Sequence, residues 1–176
     1  MAISIRAERT EDYHETEEVV RRAFLKEEIS DKKEHLLVNR IRLSNAFISE
    51  LSLVATNQDK NIVGHVLLSK IKIVNGENSV DSLALAPVSV LPAYQNQGIG
   101  SRLIHSALHR AKEIGYTSVI VLGHKDYYPK FGFKKASLWD IRAPFNVPDE
   151  VFMALELTEN SLKDVHGVVQ YSDAFS

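Results

Sequence analysis

The first part of the chain shows two hydrophobic periods in succession, that of a strand and then that of a helix. Apolar and polar side chains alternate over residues 2–7, which predicts a short strand. Thr10 is of a residue type that caps helices, so we expect a helix to begin there. Apolar residues then recur at helical spacing in two segments, as Val19, Val20, Ala23 and Phe24, and as Leu36, Leu37, Ile41 and Leu43. One strand followed by two helices is therefore predicted.

Strand-forming residues dominate the middle of the chain. Segments 51–56 and 62–73 are rich in Val, Ile and Leu, and the polar residues 57–61 between them are typical of a turn that joins antiparallel strands. A second turn over 75–78 precedes an apolar run that Pro92 ends, because proline has no N–H and restricts the residue before it. The pattern predicts a meander whose last strand enters a loop abruptly.

The second half of the chain predicts a strand-loop-helix-strand unit. Helical spacing resumes after the loop and stops at Gly115, in a series formed by Ile99, Leu103, Ile104, Ala107, Leu108 and Ala111. A β-branched strand over 117–122 follows, and residues 123–133 form a loop or short helix. The prolines in 143–149 predict a surface loop, and 151–157 is the last clear strand.

Size and composition favour one globular domain. The chain has 176 residues, 44% of them hydrophobic and 25% charged, which argues against disorder and against a fibrous class. A formal net charge of −2 gives no cationic field, so neither nucleic acid nor membrane is expected as a partner. The absence of cysteine excludes disulfides, thiolate metal sites and a cysteine nucleophile. With no signal-peptide pattern and no run of roughly 20 apolar residues, a cytoplasmic location is expected.

A strand that runs into a glycine-containing loop before a long helix is the most informative feature. Unpaired N–H groups and the positive end of the helix dipole face an anion there, and Gly98 and Gly100 allow close approach of a pyrophosphate. An isolated G-x-G is equally compatible with a simple tight turn. Nucleotide motifs fit worse, since no Gly-Lys-Ser/Thr follows and the third glycine of the dinucleotide fingerprint would fall at Leu103.

The complete pattern from Val90 to Gly100, V-x-P-x-x-Q-x-x-G-x-G, resembles the pyrophosphate motif Q/R-x-x-G-x-G/A of the GCN5-related N-acetyltransferase (GNAT) family. The resemblance implies an α/β fold of the α+β type, with a mixed, mostly antiparallel sheet of about six or seven strands and helices on both faces. It implies that acetyl-CoA is a co-substrate and that the backbone of Val88 and Val90 pairs with its pantetheine arm. It also implies that the Val90 N–H polarises the thioester carbonyl. The pyrophosphate would bind to Gln95, Asn96, Gln97, Gly98, Ile99, Gly100 and Ser101.

A second match follows the strand over 118–122. Tyr127-Tyr-Pro-Lys-Phe-Gly-Phe133 resembles the family signature Tyr-x-x-x-Gly-Phe, which implies that Tyr128 is the catalytic tyrosine. A free tyrosine titrates near roughly pH 10, so Tyr128 would keep its proton at neutral pH and donate it to the departing CoA sulfur as a general acid. Aromatic packing under a loop is the alternative interpretation of this cluster, and Tyr127 is the neighbouring candidate.

No general base is identified by the sequence. The central strand over 82–91 contains no Asp, Glu or His, and Asp81 lies about 30 Å from its end along an extended strand. His124, Asp126 and Glu50 have no motif around them, and solvation or local capping is their simpler interpretation. A water chain, or capture of the neutral fraction of the amine, is equally open. The seven histidines form no HxxxH or similar pattern, so no metal is predicted.

The resemblance extends over most of the chain. Segments 53–55, 64–68 and 85–92 and the tail ending at Val168-Val-Gln-Tyr171 resemble the YhbS-type subgroup of predicted bacterial acetyltransferases. A single acetyltransferase domain over 1–176 is therefore expected, with a core of about 1–157 and a C-terminal extension of about 158–176.

The expected reaction is transfer of an acetyl group from acetyl-CoA to a primary amine in a ternary complex. Direct attack is expected because no cysteine is present to form an acyl-enzyme and no serine lies in a G-x-S-x-G elbow. The alternative is a non-catalytic acyl-CoA-binding regulatory module, which would need no positioned tyrosine. Other acyl groups, the identity of a small-molecule or peptide acceptor, and a homodimer stay open.

Overall fold

Two long neighbouring strands form the centre of the sheet. The computed structural model describes residues 2–27 and 30–176. Strands β3 (Ile62–Asn75) and β4 (Asn78–Val90) are antiparallel and stay paired from their shared turn to the far end of β4. The turn is tight because Gly76 adopts a φ of 62°, which glycine reaches without a Cβ clash.

In the described part of the chain, nine strands form one mixed, mostly antiparallel sheet in the order β1-β2-β3-β4-β5-β8-β6, with β9 beside β3 and β7 beside β9. The expectation of six or seven strands was too low. Two of the strands have only two residues each, too few for any alternation to show. The remaining bounds are β1 Ser4–Ala7, β2 Ser52–Thr56, β5 Ser118–Leu122, β6 Lys134–Lys135, β7 Ile141–Arg142, β8 Phe152–Glu156 and β9 Gly167–Gln170.

Helices cover both faces of this sheet, as expected. Helices α1 (Tyr13–Phe24) and α2 (Glu34–Arg42) pack on one face, and α3 (Ile99–Glu113) packs on the other. Successive residues of a strand point to opposite faces, so Leu67 of β3 contacts α1 and α2 while Val66 joins the cluster under α3. We call these the α1/α2 face and the α3 face.

The start of α1 differs from the prediction. Thr10 does not cap the helix; it begins a short 3-10 turn, Thr10–Asp12, that leads into α1. Asp12 takes the role of the local acceptor, since its carboxylate accepts from the Arg9 N–H at 2.8 Å and from Arg6 Nη1 at 2.6 Å. The Arg6 guanidinium, through this hydrogen bond, holds the pKa of Asp12 below its usual value.

The open end of β4 positions the site. β4 and β5 are parallel neighbours, but they pair at only two positions of β4, Leu83 and Ala84. Directly beyond, β4 bulges away from its ladder with β3, because Ala86 and Pro87 oppose a single residue of β3. Because the pairing with β5 ends at Ala84, the last residues of β4 have no strand beside them, and we call this space beyond the end of β5 the gap.

The tail is part of the sheet. The strand over 151–157 was expected to be the last clear one, but β9 follows it and pairs with β3 at residues 72–74. Arg40 Nε of α2 donates to the Ala174 carbonyl at 2.9 Å and fixes the final residues. The division into a core and an extension of one domain stays a prediction. Across 2–27 and 30–176, no helix is long and apolar enough to cross a membrane.

Candidate active site

The main chain at the end of β4 faces the gap. Leu91 N donates to Val63 O at 2.9 Å, which marks a hydrogen-bonded pair of the β3–β4 ladder. Hydrogen-bonded pairs alternate with non-hydrogen-bonded pairs along an antiparallel ladder, so Val88 and Val90 belong to non-hydrogen-bonded pairs. Their N–H and C=O groups therefore point away from β3. The Val90 carbonyl accepts from Gln95 Nε2 at 3.0 Å. The other three groups of this pair of residues are available to an extended ligand.

The loop after β4 presents free N–H groups. Arg102 N makes the first hydrogen bond of α3, to the Gly98 carbonyl at 3.1 Å, so the three preceding N–H groups have no helical partner. These belong to Ile99, Gly100 and Ser101. Asn96 and Gly98 have φ values of 63° and 81° and turn the chain sharply into the helix. The Ile99 side chain is buried in the core, so only its main chain can meet a ligand.

Gln95, Asn96 and Gln97 complete the predicted loop and are exposed to solvent. Gln97 Nε2 lies 3.5 Å from the Ala93 carbonyl, and the loop begins with a short 3-10 turn, Pro92–Tyr94. The helix dipole and the unpaired N–H groups make this end of α3 attractive to an anion. The structure therefore brings together all seven loop residues predicted from the sequence.

Tyr128 lies beside the end of β5. It opens a short 3-10 helix, Tyr128–Phe131, and its ring packs edge-to-face on Tyr127 and Phe133 at centroid distances of 5.1 and 5.7 Å. Gly123 makes room for it, because a Cβ there would lie 2.3 Å from Tyr128 Cε2. Burial raises the pKa of Tyr128 to about 12. Because this pKa lies far above neutral, the Tyr128 hydroxyl keeps its proton at neutral pH.

Tyr127 occupies a different position. Its hydroxyl lies 3.5 Å from Ser101 Oγ at the start of α3, and Lys130 Nζ lies 4.0 Å from the centre of its ring. Lys130 therefore brings a cation close to the loop, a feature that the sequence reasoning missed although the residue lies inside the second signature. The two neighbouring tyrosines therefore have different surroundings: the Tyr128 side chain is buried in the core, and the Tyr127 side chain is only partly buried.

The carboxylates and the histidine that were weighed as bases are engaged elsewhere. Asp81 is exposed and pairs with Lys72 Nζ at 3.0 Å near the opposite end of β4. His124 Nδ1 accepts from the Asp126 N–H at 3.1 Å in an exposed turn. Glu50 accepts from Ser49 Oγ at 2.7 Å, and this hydrogen bond holds its pKa below the usual value. These contacts support local roles.

A buried polar row on the α1/α2 face was missed by the sequence reasoning. Arg42 Nη2 donates to Glu8 Oε2 at 2.6 Å, Ser52 Oγ donates to Glu8 Oε1 at 2.7 Å, and Ser52 Oγ lies 2.9 Å from His65 Nε2. Burial lowers the pKa of His65 to about 4, so the ring is neutral. Four distant segments supply the row, and no local spacing could have revealed it.

No three Asp, Glu or His side chains in residues 2–27 and 30–176 are grouped so that they could hold a metal ion. The sequence-based expectation of a reaction without a metal stays a prediction.

Known proteins resemble this chain in sequence and in structure. A model of the acetyltransferase (GNAT) family matches residues 6–133. The N-acetyltransferase YhbS of Escherichia coli K12 is 30% identical over 154 residues, which cover 88% of this chain and 90% of YhbS.

Two crystal structures extend the likeness to the fold. That of E. coli YhbS in complex with CoA has a TM-score of 0.88 at 27% identity, over 98% of this chain and 91% of that one. A GNAT family acetyltransferase from Brucella melitensis in complex with acetyl-CoA has a TM-score of 0.81 at 32% identity, over 99% of each chain. The resemblance predicted from the two motifs is confirmed, and the chain belongs to the GNAT family of acetyltransferases.

Proposed function

We propose that this protein transfers an acetyl group from acetyl-CoA to a primary amine by direct attack in a ternary complex. One observation carries the proposal: the unpaired main chain of Val88 and Val90 leads directly to the free N–H groups at the start of α3, with the ring of Tyr128 packed against Gly123 just after the end of β5. The CoA and acetyl-CoA complexes of the two structural relatives support this choice of carrier.

In this proposal the carrier binds mainly to the main chain. The pantetheine arm lies along Val88 and Val90, and the pyrophosphate lies against the loop from Gln95 to Ser101. Backbone N–H groups are suited to this task because they bind phosphate oxygens without the flexibility of long side chains. The Val90 N–H faces the gap and is the proposed donor to the thioester carbonyl, where negative charge develops as the amine attacks.

Tyr128 is the proposed general acid. The amine nitrogen bonds to the acetyl carbon, the carbon–sulfur bond breaks, and the sulfur leaves with its electron pair. A thiol titrates near roughly 8.5, below the pKa of about 12 that burial gives Tyr128, so the phenol stabilises the departing thiolate first as a hydrogen-bond donor. The burial that raises the pKa of Tyr128 also disfavours a thiolate beside it, so the proton passes to the sulfur as the bond breaks.

The proposal also covers the class of acceptor, the cellular location and the oligomeric state. A small-molecule or peptide amine acts as acceptor and the cytoplasm is the proposed location, with neither nucleic acid nor membrane as a partner. A single domain over 1–176 performs the reaction, alone or as a homodimer. The proposal includes no acyl-enzyme, because the chain has no cysteine and no serine in a G-x-S-x-G elbow.

Free-CoA release with a panel of acceptors tests the proposal. Polyamines, aminoglycosides, amino acids and peptides with free amino termini are incubated with acetyl-CoA, and CoA binding is measured separately by calorimetry. We expect release with at least one class, and intersecting double-reciprocal plots that indicate a ternary complex. CoA binding without release from any acceptor would instead identify a non-catalytic acyl-CoA-binding module.

A further inference from the structure

The loop after β4 contains no cation. Residues 91–101 include no Lys, Arg or His, so the loop offers only neutral N–H groups to a ligand that carries several negative charges. CoA has a phosphate on its ribose in addition to the pyrophosphate, and a phosphomonoester is close to a dianion at neutral pH. A cation from another segment of the chain would balance part of this charge.

Arg102, the first cation after the loop, is directed away from the gap. Its Nη2 donates to the Ile3 carbonyl at 3.0 Å, immediately before β1. In the sheet, β1 lies on the β3 side of β4, whereas the gap lies on the β5 side. Arg102 is therefore tied to the edge of the sheet that is remote from the gap.

Lys130 lies on the β5 side, beside the start of α3. Its Nζ is 4.0 Å from the centre of the Tyr127 ring and 5.3 Å from the centre of the Phe131 ring. The Tyr127 hydroxyl lies 3.5 Å from Ser101 Oγ in the first turn of α3. The Phe131 ring packs edge-to-face on His105, one turn further along α3, at a centroid distance of 4.9 Å. Through these two rings the ammonium is held alongside the first two turns of the helix.

The Lys130 ammonium has no carboxylate partner within the described residues. In 2–27 and 30–176 it forms no salt bridge, and its side chain is exposed. The aromatic rings attract the ammonium through their electron-rich faces and leave its charge in place. They also restrict a long, flexible side chain, so less conformational entropy is lost when an anion binds to it.

We propose that Lys130 binds the phosphate on the CoA ribose and makes the site selective for CoA over carriers that lack this phosphate. The inference rests on the proposed function, in which the loop N–H groups bind the pyrophosphate. Neutral N–H groups suit the singly charged phosphates of the pyrophosphate, whereas an ammonium suits the more highly charged phosphomonoester. The site therefore reads two features of the carrier with two kinds of donor.

Calorimetric titration of Lys130→Gln with CoA and with dephospho-CoA, which lacks only the ribose phosphate, tests this assignment. We expect wild type to bind CoA about tenfold more tightly than dephospho-CoA, since a hydrogen bond to a charged group contributes on this scale. Lys130→Gln should lose most of that preference by binding CoA more weakly. Its affinity for dephospho-CoA should be unchanged, which also shows that the variant is folded. Lys130→Arg keeps the charge and should keep most of the preference.

Lys163→Gln is the matched control, because it removes the same charge far from the gap. Lys163 follows Leu162, whose N–H donates to Glu156 at 2.9 Å, and Glu156 pairs with the first residue of β5. The gap lies beyond the last residue of β5, so this control should bind both ligands as wild type does. With an acceptor that wild type acetylates, Lys130→Gln should raise KM for acetyl-CoA and leave kcat unchanged.

An equal loss of affinity for CoA and dephospho-CoA in Lys130→Gln would place the ammonium at the pyrophosphate and overturn the assignment. A wild type without preference between the two ligands, or a variant that keeps the full preference, would overturn it as well. These outcomes leave the proposed function intact. A wild type that binds neither CoA nor acetyl-CoA would overturn both.

Discussion

The two faces of the sheet at the open end of β4 carry different chemistry. On the α3 face, the available groups are main-chain N–H groups of an exposed loop and one neutral phenol, Tyr128. On the α1/α2 face, the groups are ionised or titratable side chains that are closed off from solvent and paired with each other. One face is built to meet a charged carrier, and the other holds charge inside the protein.

This difference follows from what each task requires. Binding a pyrophosphate needs several N–H groups close together, which one turn into a helix supplies, so the determinants are contiguous in sequence. A buried ion pair needs partners on every side, so its members come from β1, β2, β3 and α2 and their flanks. We therefore expect mutations on the α1/α2 face to lower mainly the free energy of unfolding, and mutations on the α3 face to lower mainly turnover or CoA affinity.

The largest effect is expected on the stability of the α1/α2 face. Arg42→Met leaves the Glu8 carboxylate buried without its cation, which should lower the free energy of unfolding by about 3–5 kcal/mol. Urea denaturation measures this loss. Arg21→Met is the control, because Arg21 pairs with Glu18 at the exposed surface and should leave the unfolding midpoint almost unchanged. Equal losses would show that the buried row is not a distinct structural unit.

The second effect is a pH dependence of stability on the same face. The pKa of His65 is lowered from 6.5 to about 4 in the folded protein, so between these values the unfolded chain binds the proton more readily. The His65 contribution to folding is therefore complete above pH 6.5 and is lost as the pH falls toward 4, by up to about 3 kcal/mol.

Denaturation of wild type and His65→Gln at a series of pH values measures that contribution as the difference between the two slopes. The variant should lose less stability on acidification than wild type. Parallel curves for the two proteins would mean that His65 is not held neutral by burial, and that the α1/α2 face is more hydrated than its packing indicates.

The third effect concerns activity on the α3 face. Tyr128→Phe removes the hydroxyl and keeps the ring, so kcat should fall by about 10²-fold while CoA affinity and the free energy of unfolding change little. Tyr116→Phe, after the end of α3, is the control and should keep wild-type turnover. Because the pKa of Tyr128 is about 12, its ionisation should cause no loss of wild-type activity until strongly alkaline pH. Unchanged turnover of Tyr128→Phe would remove it from the mechanism.

The smallest effect separates backbone conformation from ligand approach in the loop. Gly98→Ala forces a methyl group onto a residue with φ of 81° and should cost about 1 kcal/mol of stability. Gly100→Ala lies in α3, where its Cβ would be 3.5 Å from the Tyr127 hydroxyl, so the fold should tolerate it. We expect the second variant to weaken CoA binding roughly tenfold, or about 1.4 kcal/mol. Thermal unfolding and CoA titration distinguish the two outcomes.

The sequence predicted the α3 face better than the α1/α2 face for a physical reason. The helix α3, the loop and Tyr128 lie within two short segments whose periodicity and glycines are visible locally. The helix start at Thr10 was wrong because Asp12 and Arg6, two residues of the same segment, hydrogen bond each other instead. Strands β6 and β7 were missed because two residues cannot show alternation. His65 is one polar residue in an apolar strand, and its part in the buried polar row can be identified only from the residues that contact it from other segments.

Strand β3 keeps the two faces on adjacent residues. His65 and Leu67 belong to one face and Val66 and Leu68 to the other, so a change at one position need not disturb the chemistry reached by the next. Substitutions can therefore accumulate on one side of the strand with little direct effect on the residues of the other side. Deleting a single residue of β3 would exchange the two sides at once.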